Sequence, residues 1–165
     1  MDSPETPPVT IRLLNGVEET RECARMMASS EPWVTLNRGI GDSLRLLSDC
    51  KKEVYVADAG GEVAGFIVLE MEGSFTGYVK SIYVAPGWRG RGVGSTLMGY
   101  AEERIFKESP NVFICVSDFN TGARRLYERL GYETIGELRD YVVRGHSEVL
   151  MRKSIGPLDG FEKRE

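Results

Sequence analysis

Four glycines, Gly87, Gly90, Gly92 and Gly94, fall within eight residues of one another. They separate an apolar stretch ending Ile82-Tyr83-Val84 from a segment with helical spacing, Ser95–Lys107. The chain must therefore turn from a strand into a helix here, through backbone conformations that residues with side chains rarely adopt. Such a turn suits an anion. Its N–H groups can point inward, and the helix that follows adds unpaired N-terminal donors and the positive end of its dipole. Arg89 and Arg91 supply charge, and a pyrophosphate can approach the bare main chain at Gly90, Gly92 and Gly94. The competing reading is a tight turn with two solvated arginines.

The remaining pattern alternates. Val9–Leu14 reads as a short strand and Val17–Ser29 as a helix with Cys23, Met26 and Met27 inward. Asp42 is placed as the cap of a second helix running to Cys50. Glu53–Asp58 and Val63–Glu72 read as strands joined by a hairpin at Gly60-Gly61. A strand at Tyr78–Val84 precedes the glycine turn. After the Ser95–Lys107 helix come a strand at Val112–Ser117, a helix at Thr121–Leu130 stopped by Gly131, and strands at Thr134–Arg139 and Glu148–Arg152. The order β-α-α-β-β-β-α-β-α-β-β predicts a single α/β domain over residues 1–165. Its sheet is mixed, with helices on its faces, and residues 1–8 and 156–165 form flexible ends.

Composition removes several classes. The 165 residues are 41% hydrophobic and 28% charged, enough for one globular core. No apolar run approaches the ~18 residues of a membrane helix. The first residues, acidic and proline-rich, do not resemble a signal peptide. Cys23, Cys50 and Cys115 lie far apart and His146 is the only histidine, so no metal site is expected. The odd cysteine count points to reduced thiols in the cytoplasm. A net charge of −4 disfavours nucleic acid as a partner.

Spacing selects among anions. A Walker loop needs Lys-Ser/Thr after its last glycine, whereas Gly92 is followed by Val93-Gly94. A dinucleotide fingerprint needs glycine at position 95 or 97, which hold Ser95 and Leu97. Asp118, at the end of the next strand, keeps a dinucleotide oxidoreductase as a minor alternative. What remains is R-x-x-G-x-G, met by Arg89, Gly92 and Gly94.

This motif, after Ile82-Tyr83-Val84, resembles the pyrophosphate loop of the GNAT superfamily of acetyl-CoA-dependent acyltransferases. Asn120-x-x-Ala123-x-x-Leu126-Tyr127-x-x-Leu130-Gly131-Tyr132 is similar to the family's later cofactor motif. The resemblance spans Glu53–Lys153. It implies a mostly antiparallel sheet split near the fourth strand, with helices on both faces. It also implies acetyl-CoA as co-substrate and an amine acceptor that attacks directly in a ternary complex. Ile82, Tyr83 and Val84 would flank the pantetheine arm. Arg89, Gly90, Arg91, Gly92, Val93, Gly94 and Ser95 would hold the pyrophosphate, with Asn120, Ala123 and Tyr127 contributing from the second motif. Tyr127 takes the role of proton donor to the departing thiolate; packing in the helix core is its competing reading.

The base is less legible. The positions where many family members carry a glutamate correspond to Tyr78 and Cys115, neither of them a natural base. Glu70 and Glu72, at the end of the third strand, are the favoured substitutes, and His146 with Glu148 is a second possibility. Trp33 is either a wall of the acceptor pocket or a core residue. Trp88 is either a cover of the loop or a neighbour of adenine, and Cys115 is expected in the core. The acceptor is open: a small amine, an antibiotic, a polyamine, an amino acid or a protein N-terminus. A non-catalytic CoA-binding domain is the alternative function, and a homodimer is expected.

Overall fold

The computed structural model describes residues 7–165; of the expected flexible start, residues 1–6 lie outside the described residues. β1 (Thr10–Leu13) leads into α1 (Gly16–Ala28) and α2 (Ile40–Leu47). β2 (Lys52–Ala59), β3 (Glu62–Glu70) and β4 (Tyr78–Val84) follow, then α3 (Val93–Ile105), β5 (Asn111–Ser117), α4 (Thr121–Arg129), β6 (Glu133–Leu138) and β7 (Glu148–Ser154). The strands form one seven-stranded sheet in the order β1-β2-β3-β4-β5-β7-β6. Every neighbouring pair is antiparallel except β4 and β5, which α3 connects by a crossover.

The core explains the sequence pattern. β3 is buried almost without interruption because helices cover both of its faces. On one face Phe66 stacks on Tyr83 at 5.1 Å and Tyr83 meets Trp33 at 6.0 Å, which fixes the loop between α1 and α2 against β4. On the other, Leu97, Met98, Ala101 and Ile105 of α3 are fully buried. At a few kcal/mol for each large side chain removed from water, that stripe holds α3 to the sheet. Gly60 and Gly61 both have positive φ (67° and 95°), as a two-residue hairpin turn requires.

β4 and β5 pair only at Tyr78↔Phe113 and Val79↔Ile114 and then separate. The cause lies on the other edge of β4. Leu69 faces Val79 while Val68 faces Ser81, so Lys80 is an extra residue. A bulge of this kind bends its strand and increases the local twist, and here it turns β4 away from β5. The sheet splits at the place the resemblance implied.

Some boundaries differ from expectation. α2 begins at Ile40 with Gly39 as its cap. Asp42 is not the cap; it sits in the first turn and accepts the Gly39 N–H at 3.0 Å, a role that the sequence spacing alone could not separate from capping. β3 stops at Glu70, so Glu72 lies beyond it. The tail after Gly156 is tied back, with the Arg164 N–H donating to the Lys107 carbonyl at 2.8 Å.

Candidate active site

A cavity of about 370 Å³ occupies the split. Its walls are β4 from Tyr78 to Ile82, β5 from Ile114 to Ser117, Asn120 at the start of α4, and Tyr127 nearly two turns further along it. The α1–α2 loop contributes Pro32, Trp33 and Leu36, and the β6–β7 loop contributes Tyr141 and Val142. Beyond Val79 the β5-facing edge of β4 has no strand beside it. Its main-chain groups, around Ile82 and Val84, can pair with an extended ligand as an added strand would.

The glycine turn follows the free end of β4. Gly90 and Gly92 have φ of 72° and 81°, the left-handed region where a side chain costs energy. Gly92 caps α3, and its carbonyl accepts the Thr96 N–H at 3.0 Å. The N–H groups of Val93, Gly94 and Ser95 thus lie in the first turn, ahead of the helix's own hydrogen-bond ladder. A Cβ on Gly94 would stand 3.2 Å from Leu126 and 3.7 Å from Val84, so this glycine lets α3 start against both β4 and α4. The donors, the bare main chain and the open strand edge fit a long ligand with a pyrophosphate.

Two aromatic questions are settled by position. Trp88 is buried, its indole N–H donates to Glu62 at 3.1 Å, and the Arg91 guanidinium lies over its ring at 5.3 Å. It anchors the loop from beneath. Trp33 is both a core residue and a cavity wall. Arg89 donates from Nε to the Val84 carbonyl at 3.2 Å, holding its guanidinium over the end of β4.

Asn120 caps α4, its side-chain oxygen accepting the Ala123 N–H at 3.4 Å, and it also lines the cavity. Tyr127 is 3% exposed and reaches the same cavity. Burial alone pushes its phenol well above the usual tyrosine range, so it is fully protonated near neutrality. Its ring meets Tyr132 edge-on at 6.0 Å. The Tyr132 hydroxyl in turn donates to Glu102 at 3.1 Å, and Lys153 pairs with Glu102 at 2.8 Å, a brace beneath the helix.

The expected bases are distributed differently. Glu70 is paired with Lys52 at 3.4 Å, and neither it nor Glu72 lines the cavity. His146 lies 3.2 Å from Asp118, which also accepts the Ser147 N–H at 2.9 Å, so the histidine fastens the β6–β7 loop and stays off the cavity wall. Glu148 does line it, buried and hydrogen-bonded to the Ser117 hydroxyl at 2.7 Å. Cys115 is not a core residue: it is half-buried on the cavity wall beside Tyr78, and burial pushes both of their side chains upward. Sequence reasoning missed Ser117, which carries no motif, and the bulge at Lys80.

The chain is similar to known proteins. An N-alpha-acetyltransferase of Sulfurisphaera tokodaii is 31% identical over 119 residues, 64% of this chain and 71% of that protein. Among solved structures, an aminoglycoside 6'-N-acetyltransferase complexed with coenzyme A superposes with a TM-score of 0.74 at 17% identity, covering 90% of this chain and 98% of its own. The ribosomal-protein-S18-alanine N-acetyltransferase of Escherichia coli superposes with a TM-score of 0.73 at 18% identity, covering 93% and 97%. These two establish a shared fold. The sequence pattern of the acetyltransferase (GNAT) family matches residues 16–132, which include α1, α2, the glycine turn and the Tyr127 motif, and the chain belongs to that family.

Proposed function

We propose that this N-acetyltransferase moves the acetyl group of acetyl-CoA to a primary amine by direct attack within a ternary complex. The first acceptor class is the α-amine of a peptide or protein N-terminus. The observation that carries the reading is the convergence on one split of an open β4 edge, the glycine turn at the start of α3, and the buried Tyr127. The likeness to an N-alpha-acetyltransferase supports the acceptor class.

Val93, Gly94 and Ser95 would receive the pyrophosphate on their N–H groups, with Gly90 and Gly92 shaping the turn and Arg89 and Arg91 adding charge. Ile82 and Val84, with Tyr83 between them, would hold the pantetheine arm along β4. Asn120 and Ala123 keep α4 at the height where Tyr127 meets the cavity. The thioester carbon is then presented to the amine, and fixing both reactants removes much of the entropic barrier. The Tyr127 O–H gives its proton to the sulfur as the C–S bond breaks, and recovers one from the nitrogen of the new amide. Asp118, tied to the β6–β7 loop, offers little to a dinucleotide ribose. A homodimer belongs to the same reading, and sedimentation measurements test it.

The test is a panel containing a peptide with a free N-terminus, the same peptide blocked there but carrying a lysine, a polyamine and an aminoglycoside. Thermal stabilisation by acetyl-CoA and not by NAD is expected, with acetylation of the free N-terminus fastest. Stabilisation by acetyl-CoA without product from any amine would favour the non-catalytic alternative.

A further inference from the structure

Two carboxylates line the cavity, Asp42 and Glu148. Asp42 is committed to α2, accepting the Gly39 N–H and pairing with Arg45. Glu148 opens β7 directly opposite Ser117, so both side chains leave the same face of the sheet. Cys115, two residues before Ser117, and Tyr78, across from Phe113, share that face. Glu148 is 6% exposed, and the Ser117 hydroxyl donates to one of its oxygens at 2.7 Å. Ser117 is the sole donor to this carboxylate among the described residues. A buried acid with one oxygen left over, on the wall of the acceptor's cavity, is placed to receive a proton.

We propose that Glu148 is the catalytic base, accepting on its free carboxylate oxygen the proton that the acceptor's ammonium group must lose before it attacks. The assignment rests on the acetyl-transfer reading above. The N–H bond of the ammonium breaks and an O–H bond forms on Glu148. The neutral amine attacks the thioester carbon, the C–S pair leaves with sulfur, and Tyr127 protonates that sulfur. The Glu148 proton passes to solvent with the products, which accounts for the one proton the reaction releases.

The surroundings favour this role. Burial pushes the Glu148 carboxyl above the ordinary glutamate range, the Ser117 hydrogen bond opposes that shift, and the nearby charge of Asp118 adds to it. A carboxyl raised in this way is a stronger base than an ordinary glutamate. Tyr78 and Cys115 face it in their neutral forms, and Tyr141 closes the loop side. Lys80 and Arg38, from β4 and the α1–α2 loop, are the cations on the cavity wall, and His146 stays with Asp118.

The experiment measures kcat/KM for wild type and Glu148→Gln against pH, with acetyl-CoA and a peptide bearing a free N-terminus. The expected deficit is about a hundredfold near neutrality. It closes by about tenfold for each pH unit, because alkali supplies the neutral amine that the variant cannot make. Glu148→Asp should restore part of the rate. A deficit that does not change with pH, or no deficit, overturns the assignment and leaves acetyl transfer standing. No turnover by the wild type overturns both. Independently of turnover, Glu148→Gln should melt higher than wild type near neutrality, with the gap closing as acid protonates Glu148. No such gap contradicts the raised carboxyl. If the variant does not fold, Ser117→Ala keeps the carboxylate and should move the acid limb of the wild-type profile to higher pH; an unmoved limb overturns the proposal.

Discussion

The main chain at Gly94 packs against Leu126 so closely that a Cβ there would stand 3.2 Å from the leucine methyl. The two motifs, nearly 30 residues apart in sequence, thus touch at the start of α3. Gly94→Ala sets two effects against each other. Alanine in a helix gains roughly 0.5–1 kcal/mol over glycine, while the contact with Leu126 must open by a few tenths of an ångström. Gly94→Ala should be more favourable in a Leu126→Ala background. A double-mutant cycle by urea unfolding should give a coupling of about 0.5 kcal/mol or more.

Gly92 presents the opposite case. A Cβ there meets nothing within 4 Å, but φ is 81°. Gly92→Ala is therefore strained by backbone conformation alone, at roughly 1 kcal/mol. Urea unfolding should register that loss. Acetyl-CoA stabilisation should fall with it, because turning residue 92 moves the N–H groups that follow.

Tyr127→Phe removes a hydroxyl that makes no hydrogen bond among the described residues. The folded state should lose little, and the melting temperature should stay close to wild type. Acetyl-CoA binding should be unchanged while kcat falls by about tenfold to a hundredfold. Full activity in this variant would remove Tyr127 as proton donor.

Much of the donor half was legible from the residues. Glycine spacing separated this turn from Walker and dinucleotide loops, and the sequence pattern placed the seven strands and four α-helices of the described residues in order. The acceptor half was not legible, because its residues come from segments distant in sequence. Glu148 looks like any charged strand residue until its register opposite Ser117 brings it to the cavity. The resemblance implies a split near the fourth strand but not which edge of it opens; the cavity lies on the β5 side of β4, away from β3 and from Glu70 and Glu72. The Lys80 bulge that opens the split has no signature of its own, since an extra residue in a strand shows only in the pairing.

Acid stability should report on Asp118. The Ser147 N–H, and then His146, hold its carboxyl below the usual aspartate range. A depressed carboxyl contributes stability above its unfolded value of about 3.9, and that contribution is lost as pH falls through the folded value. Thermal melts from about pH 6 downward should therefore show a steeper acid loss for wild type than for Asp118→Asn. Parallel curves would remove the link between Asp118 and the β6–β7 loop.

The most direct measurement is release of free CoA thiol from acetyl-CoA in the presence of amines, with mass analysis of the amine product. Thiol release should depend on the amine and yield a product heavier by one acetyl group, fastest for a free peptide N-terminus. Tight acetyl-CoA binding with no amine-dependent release would contradict it.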